Sequence, residues 1–420
     1  MIRPTNVTGL MKLAFNLKLK LAVLLHFIPG LMRGELSPAA FLMVMRRLLL
    51  FFSKVQDNKF FRRGRETRVD LYVPAFPSRA FFTACRKFTT FGEKLPSTTV
   101  LISTTSACHY DCRHCYQKFD RGRDVDIETL VHAVTRLQDM GVAFFNIEGG
   151  EPFLRFDRLR KVCAALDDRS EVWVNSTGDG MTPEKLQDLR QLNLTAIMFS
   201  LHSPVPEEFN AFLSSGSAWD TMVNGVRLCH EADVPVAFNM CLNRGDFSNG
   251  KFQRLMERAK DLGASIVQVI KPKPAGGWLE CGVEKFTPQD VLAMRTLVND
   301  YNRKRRYRSF PSISAQMLEE DPLRFGCTAG GTDRFYINAK GDVQPCEFVN
   351  LSFGNIATDD FEKIYRNMRS HFDRPRADWL CEKYSGRILQ LYKDRRLESL
   401  PLDPLLSEEV YATWDRGGET

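Results

Sequence analysis

Short apolar runs alternate with longer segments of helical periodicity between residues 98 and 280. Five-residue apolar or β-branched runs are typical of buried strands, and apolar positions three or four residues apart are typical of helices. The alternation predicts an α/β fold with a parallel sheet. Strands are predicted at Thr99–Ser103, Ala143–Ile147, Glu171–Asn175, Ala196–Ser200, Val236–Met240 and Ile266–Ile270, and helices near Ile127–Met140, Phe156–Leu166, Pro183–Leu192, Ala218–Ala232 and Phe252–Leu262.

The first 70 residues have a different pattern, in which basic residues interrupt two long apolar stretches. Leu10 to Ile28 and Ser37 to Lys54 are predicted as two helices separated by a break at Pro29-Gly30. Neither contains the roughly 20 uninterrupted apolar residues that a membrane-spanning helix needs. The sequence therefore predicts a basic amphipathic helical segment at 1–70, a linker or extended lead-in at 71–97, the strand-rich domain at 98–280, a smaller domain at 281–390 and a C-terminal tail at 391–420.

The charge is distributed unevenly. The chain has 58 Lys or Arg and 51 Asp or Glu, and residues 1–70 hold 13 of the former against 4 of the latter. Basic amphipathic helices can lie in a membrane interface. The interpretation that we favour is that their apolar faces cover the strand-rich domain or a second subunit. The third interpretation, nucleic-acid contact, is not expected. We expect a cytoplasmic protein, and peripheral contact with the inner membrane face is one of these interpretations.

The cysteines argue against a disulfide scaffold. Of the 420 residues, 11 are cysteines, an odd number, and several stand singly in apolar or helical contexts, such as Cys163, Cys229 and Cys241. This usage is typical of a reducing compartment. With 44% hydrophobic and 26% charged residues, the composition is that of a globular protein.

Three thiols lie within eight residues in the stretch Cys108-His-Tyr-Asp-Cys112-Arg-His-Cys115, directly after the first predicted strand. Four thiolates would saturate a zinc ion or an iron–sulfur cube, whereas three leave one iron free for another ligand. Zinc is the alternative, but it usually takes paired C-x2-C knuckles, and no fourth cysteine is nearby.

Polar or small residues follow the next strands at the same predicted edge of the sheet. Gly149-Gly150-Glu151-Pro152 comes after the second strand, where two glycines allow close approach and Glu151 offers a carboxylate to an ammonium group. Asn175 and Ser200 end the third and fourth strands, with His202 as a weaker candidate. The simpler interpretation is that these residues form turns and cap helices.

The C-x3-C-x2-C loop, followed about 34 residues later by Gly-Gly-Glu-Pro, resembles the radical S-adenosylmethionine (SAM) superfamily. The resemblance implies a partial (β/α)6 barrel, a [4Fe-4S] cluster on Cys108, Cys112 and Cys115, and SAM bound to its free iron. This sequence departs from the family pattern at His114, where the family usually has an aromatic residue. The SAM-binding residues implied by this resemblance are His114, Gly149, Gly150, Glu151, Pro152, Asn175 and Ser200.

A second group of cysteines surrounds a predicted hairpin with its turn at Asn338 to Gly341. The pattern C-x13-G-x4-C from Cys327 to Cys346 is similar to the opening of SPASM and twitch extensions, which bind auxiliary [4Fe-4S] clusters. This resemblance implies one auxiliary cluster on Cys327, Cys346 and Cys381, with Cys281 as one candidate for the fourth ligand. The alternative is a hairpin with buried structural cysteines.

Glu347, directly after Cys346, matches the position of a catalytic base in relatives that oxidise sulfatase side chains, although a solvated carboxylate is an equal alternative. An electron donor such as flavodoxin or ferredoxin is implied. The sequence favours radical oxidation or cross-linking of a peptide or protein side chain. A lipid-like or isoprenoid substrate is the second interpretation, and a non-catalytic iron–sulfur carrier or sensor is the third.

Overall fold

The computed structural model describes residues 5–412 apart from 57, 91–97, 322–323, 374 and 376–378. Its strands are β1 (Thr5–Val7), β2 (Phe60–Arg63), β3 (Glu66–Arg68), β4 (Thr99–Ser103), β5 (Phe144–Glu148), β6 (Glu171–Ser176), β7 (Leu194–Ser200), β8 (Val236–Cys241), β9 (Ile266–Ile270), β10 (Ser312–Ala315), β11 (Arg334–Ile337) and β12 (Val343–Gln344). Its α-helices are α1 (Leu10–Met32), α2 (Pro38–Val55), α3 (Arg79–Arg86), α4 (Ile127–Asp139), α5 (Phe156–Ala164), α6 (Pro183–Gln191), α7 (Pro206–Leu213), α8 (Ala218–Glu231), α9 (Lys251–Asp261), α10 (Pro288–Arg303), α11 (Gln316–Glu319), α12 (Phe361–His371), α13 (Leu380–Asp394) and α14 (Pro404–Tyr411).

The centre of the molecule is a nine-stranded sheet in the order β10-β9-β8-β7-β6-β5-β4-β11-β12. All neighbouring pairs are parallel except β11 and β12. The strands from β4 to β9 are the six predicted ones, and α4, α5, α6, α8 and α9 are the five predicted helices. The expected α/β fold with a partial (β/α)6 barrel is confirmed. Its strands are apolar along most of their length because both faces are covered.

The two parts beyond the six strands join the same sheet. β10 pairs with β9 at one edge, and β11 pairs with β4 at the other. The predicted hairpin is present as β11 and β12, and Gly341 in its turn has a φ of +94°, which suits glycine. Residues 281–390 therefore extend the barrel and do not form a separate core.

The N-terminal helices pack on the rest of the chain through one apolar face each. Phe15, Leu19, Val23 and Phe27 on α1, and Val44, Leu48, Phe52 and Val55 on α2, are buried. The predicted break at Pro29 is wrong, because α1 continues to Met32 with Pro29 inside its last turn. The helix ends instead at the Arg33–Ser37 connection.

The segments predicted as linker and tail are also packed. Helix α3 lies within 71–97, and its Phe81 belongs to the same buried cluster as α1 and α2. In 391–420 the described residues include the buried Leu402 and Val410, and α13 and α14 pack on each other. Both stretches therefore contribute buried apolar side chains to the fold.

The N-terminal segment packs against the amino end of the barrel. Phe61 and Leu71 are buried among inward-facing side chains of the sheet, including Phe144 and Trp173. Arg68 forms an ion pair with Glu171 at 2.6 Å, and both side chains are 6% exposed. These contacts cover part of the amino end of the barrel.

Helices α1 and α2 also have a second apolar face that is exposed. All but three of the exposed large apolar side chains in the described part of the chain lie on these two helices, the exceptions being Val205, Leu292 and Leu405. By length and composition alone, α1 is also long and apolar enough to cross a membrane, with 22% of its most apolar stretch buried in the fold.

Candidate active site

The carboxyl ends of the parallel strands surround a cavity of about 180 Å³, which we call the chamber. Active sites of parallel α/β folds lie at this end of the sheet. Its wall includes most of the predicted site residues and several others: Cys112, His114, Cys115, Tyr116, Asn146, Glu148, Gly149, Gly150, Asn175, Ser200, His202, Asn239, Lys273 and Glu347.

The cluster loop, residues 108–115, follows β4 and forms one side of the chamber. Cys108 is exposed, whereas Cys112 and Cys115 are half-buried. Burial, followed by the neighbouring thiols of the loop, raises the pKa of Cys112 to about 12, and burial also raises the pKa of Cys115 to about 11. Ligation requires thiolates, so a bound metal would have to displace these protons.

The segment 271–278 packs directly on this loop. Gly277 N donates to the carbonyl of Cys115 at 2.9 Å. A Cβ on Gly277 would lie 1.9 Å from the carbonyl oxygen of Arg113, and one on Gly276 would lie 2.1 Å from that of Cys115. Both positions must therefore be glycine. Lys271, Lys273, Ala275 and Trp278 line the chamber, so this segment forms part of its wall.

The Gly-Gly-Glu-Pro element holds the other side of the cluster loop through its backbone. Gly150 N donates to Thr105 O at 2.8 Å, and Glu151 N donates to Ala107 O at 2.7 Å. A Cβ on Gly150 would lie 2.2 Å from the Ala107 carbonyl oxygen, so glycine is required there too. These contacts fit a loop held in position for a bound group.

The Glu151 side chain does not face the chamber, contrary to expectation. Its carboxylate accepts from the Ser176 hydroxyl at 2.8 Å and from the Thr177 amide and hydroxyl at 2.7 and 2.6 Å. Burial raises its pKa to about 7. Glu151 thus ties the end of β5 to the end of β6, and Pro152, also absent from the chamber wall, begins a short 3-10 helix.

Glu148 is a chamber residue that the sequence interpretation missed. It is buried, and its Oε2 accepts from Asn175 Nδ2 at 3.0 Å. Burial, followed by repulsion from Glu347, raises its pKa to about 8. The sequence did contain a signal for Glu148. Asn146 and Glu148 are two residues apart on a buried strand, so their side chains lie on the same face, and two polar groups on one face of a buried strand indicate a polar interior.

His114, Asn175 and Ser200 do line the chamber, as predicted, together with His202. Burial lowers the pKa of His114 to about 4, so its ring is neutral, and it lies 4.8 Å from the His202 ring. Buried chamber atoms without a hydrogen-bond partner in the described chain include His114 Nδ1, Asn146 Oδ1, Asn175 Oδ1, His202 Nε2, Asn239 Oδ1 and Lys273 Nζ. Buried polar atoms are rarely left unpaired, so the wall suits a polar ligand such as SAM.

The second group of cysteines is buried behind Glu347. Cys327, Cys346 and Cys381 are each at most 6% exposed. Burial raises the pKa of Cys381 to about 12, Lys273 acts in the opposite direction, and Cys327 adds to the rise. Cys346 Sγ donates to Glu347 Oε2 at 2.7 Å. Cys281, the candidate fourth ligand, is exposed. Within the described residues, no three Cys, His, Asp or Glu side chains already form a metal site.

Comparison with known proteins defines the class. Residues 102–259 match the family described as the radical SAM superfamily, and residues 327–383 match the SPASM iron–sulfur cluster-binding domain. The chain is therefore a radical SAM enzyme, and more particularly one with a SPASM extension. These domains imply a SAM-binding [4Fe-4S] cluster and an auxiliary cluster, and the donor set of each cysteine group fits such clusters.

Individual relatives are distant and differ in activity. An AdoMet-dependent heme synthase of Nitratidesulfovibrio vulgaris is 22% identical over 67% of this chain and 81% of its own length. A probable GTP 3',8-cyclase of Aeropyrum pernix is 27% identical (65% and 82%), and a PqqA peptide cyclase of Streptomyces rochei is 24% identical (67% and 79%). The relatives are enzymes, which does not support a non-catalytic carrier or sensor.

Solved structures agree on the fold. Streptococcus suis SuiB bound to S-adenosylmethionine has a TM-score of 0.55 at 15% identity, covering 68% of this chain and 72% of that one. At this identity the likeness supports the radical SAM fold and not a substrate.

Proposed function

We propose that this enzyme cleaves SAM reductively and removes a hydrogen atom from a lipid-like substrate taken from a membrane surface. Cys108, Cys112 and Cys115 would hold the SAM-binding cluster, and Cys327, Cys346 and Cys381 would hold the auxiliary one. When bound and reduced by a donor such as flavodoxin or ferredoxin, the first cluster with SAM supplies a 5′-deoxyadenosyl radical.

The chain's own residues would orient the bound molecules and handle protons. The backbone around Gly149 and Gly150, with Asn175, Ser200 and neutral His114, would surround SAM. Glu347 lines the chamber beside Cys346, so it could accept the proton released when a substrate radical is oxidised. The side chains of the N-terminal segment that cover part of the amino end of the barrel would limit the access of water to this space.

The observation that carries the membrane part is the exposed apolar face of α1. Leu10, Leu13, Leu17, Leu21 and Leu24 are exposed and are spaced three or four residues apart, so they share one face. At 100° per residue, Lys18 and Lys20 flank that face on either side. Neither α1 nor α2 contains an acidic residue. Apolar side chains bordered by cations are the pattern of helices that lie in anionic membrane interfaces.

A peptide or protein side chain is the second candidate substrate. It is supported by the distant similarity to a PqqA peptide cyclase and by the position of Glu347 in the chamber. It does not account for the exposed leucines of α1, and for that reason the lipid-like substrate is preferred.

Anaerobic reconstitution tests the chemistry. The protein should bind on the order of eight irons, four per cluster, and should form 5′-deoxyadenosine when reduced with dithionite. Replacing Cys108, Cys112 and Cys115 together by Ala should remove one cluster and all 5′-deoxyadenosine formation. Continued formation in that variant would refute the cluster assignment.

The substrate class is tested by fractionation of the source cells. A membrane-lipid extract should accelerate 5′-deoxyadenosine formation, whereas the soluble peptide fraction should not. Acceleration by the peptide fraction alone would replace the lipid-like substrate with the second candidate.

A further inference from the structure

A second cavity, of about 420 Å³, lies between helices α2 and α3 and the edge of the barrel. We call it the α2–α3 cavity. Ligand sites in proteins commonly have about 300–1,000 Å³. Most of the wall is apolar: Leu48, Phe51, Phe52, Val55, Val73, Pro74, Phe81, Ala84, Phe88 and Phe325. No residue assigned to either cluster or to SAM lines this space.

The outer end of the α2–α3 cavity reaches the apolar surface of α2. Leu50 lines the cavity and is 53% exposed, and the cations Arg47 and Lys54 line it too. Arg46, one position before Arg47, belongs to the exposed face of the same helix. A molecule that leaves a membrane held against α2 would therefore meet apolar and basic side chains at the mouth.

The inner end adjoins the chamber. Tyr72 and Gln316 line both spaces, so the two cavities adjoin at these side chains. Tyr72 Oη accepts from Gln268 Nε2 at 2.8 Å, which holds the ring in that position. A ligand in the α2–α3 cavity would thus end beside the chamber wall.

The inner end of the α2–α3 cavity also contains buried polar atoms that have no hydrogen-bond partner in the described chain. Arg334 and Glu320 form an ion pair at 2.5 Å, and they are 7% and 3% exposed. Arg334 Nε and Glu320 Oε2 have no hydrogen-bond partner in the described chain. An unpaired buried polar atom is destabilising, so a polar group of a ligand at this end would be favoured.

We propose that the α2–α3 cavity holds the hydrocarbon chain of a membrane-derived amphiphile, with its polar end at Arg334 and Glu320 beside the chamber. The inference rests on the proposed function and extends it, because it assigns the place where a lipid-like substrate binds. The apolar wall suits the hydrocarbon chain, and the inner end with Arg334 and Glu320 suits the polar end. The mouth at α2 would give access from a membrane held against that helix.

The probe for this site is cis-parinaric acid, a fatty acid whose fluorescence rises in an apolar environment. Ala84 lines the cavity and is half-buried, so Ala84→Trp would fill part of the space. Thr83→Trp, on the same helix but outside the cavity wall, is the matched control. We expect Ala84→Trp to weaken probe binding at least tenfold and Thr83→Trp to leave it within twofold. Equal affinities of wild type and Ala84→Trp would overturn the inference.

Three further measurements make the outcome clear. The triple variant Leu13→Ser, Leu17→Ser, Leu21→Ser should bind the probe like wild type, since the exposed face of α1 is not the cavity. A diazirine-bearing stearate should crosslink wild type on α2 and α3, and labelling confined to α1 would overturn the inference even if Ala84→Trp folds poorly. Displacement by oleate but not by a phospholipid, or the reverse, would identify the class of lipid. The vesicle experiment below tests the proposed function separately, because it does not depend on the cavity.

Discussion

Replacing the exposed leucines of α1 should release the enzyme from anionic vesicles. Leu13, Leu17 and Leu21 are 65%, 70% and 52% exposed, so their contacts within the fold are limited. Complete burial of a leucine side chain contributes about 1.5–3 kcal/mol. With somewhat more than half of each side chain available to the membrane, the three together should contribute about 3–5 kcal/mol.

That free energy corresponds to about two to three and a half powers of ten in the vesicle partition coefficient, since about 1.4 kcal/mol is a factor of ten. Lys18 and Lys20 should add about 1 kcal/mol each on an anionic surface. Salt screens this electrostatic part, so added salt should weaken the binding of wild type.

The assay is flotation with phosphatidylcholine vesicles that contain phosphatidylserine. Wild type should float, and Leu13→Ser, Leu17→Ser, Leu21→Ser should remain at the bottom with an unchanged melting temperature. Leu292→Ser is the matched control, because Leu292 is 61% exposed on α10 and outside α1 and α2. Flotation of the triple variant like wild type would refute the reasoning. If wild type is a dimer that does not float and the triple variant is a monomer, a second copy of the chain covers the exposed face of α1 instead of a membrane.

Three other outcomes follow from buried charges and thiols. In the folded protein the pKa of Glu148 is about 8, against an ordinary value of 4.5. Between these values the folded state binds more protons than the unfolded state, so the free energy of unfolding should fall as the pH rises. Thermal unfolding of the metal-free protein should therefore show Glu148→Gln matching wild type near pH 5 and exceeding it by several degrees near pH 8, and parallel curves would contradict this pKa. Arg68→Ala would leave the carboxylate of Glu171 buried and unpaired and should cost about 3–5 kcal/mol in urea unfolding, part of which Arg68→Ala with Glu171→Gln should restore. Cys327→Ala or Cys346→Ala should lower iron content while uncoupled SAM cleavage stays measurable, and a full iron complement in both variants would make these thiols structural.

The barrel could be predicted closely because its strands are buried on both faces. The run Thr99–Ser103, for example, is buried throughout with an apolar centre, and the next element is a helix of clear periodicity. The pairing of β11 with β4 could not be predicted in this way. It joins segments more than 230 residues apart, and no local pattern records such a contact.

The candidate site was predictable where chemistry needs a particular residue at a particular spacing. The thiols of the cluster loop and the two glycines after β5 are of this kind. The side-chain direction of Glu151 was not, because Ser176 and Thr177 capture its carboxylate and only the folded structure brings them together. Glu148 was not predicted, because the adjacent Gly-Gly-Glu-Pro motif directed the interpretation to the carboxylate of Glu151.

The exposed face of α1 and the contacts at the amino end of the barrel restrict how membrane contact can be tested. Removing residues 1–70 would delete Phe61, which is buried among the inward-facing side chains at the amino end of the barrel, and Arg68, which pairs with Glu171. The truncated protein would expose an apolar surface at this end of the barrel, so its loss of vesicle binding or its aggregation would have two explanations. Point substitutions on the outer face of α1 leave these contacts in place. Because the same segment covers part of the amino end of the barrel and carries the exposed leucines, a membrane held against α1 and α2 would lie within one helix layer of the α2–α3 cavity.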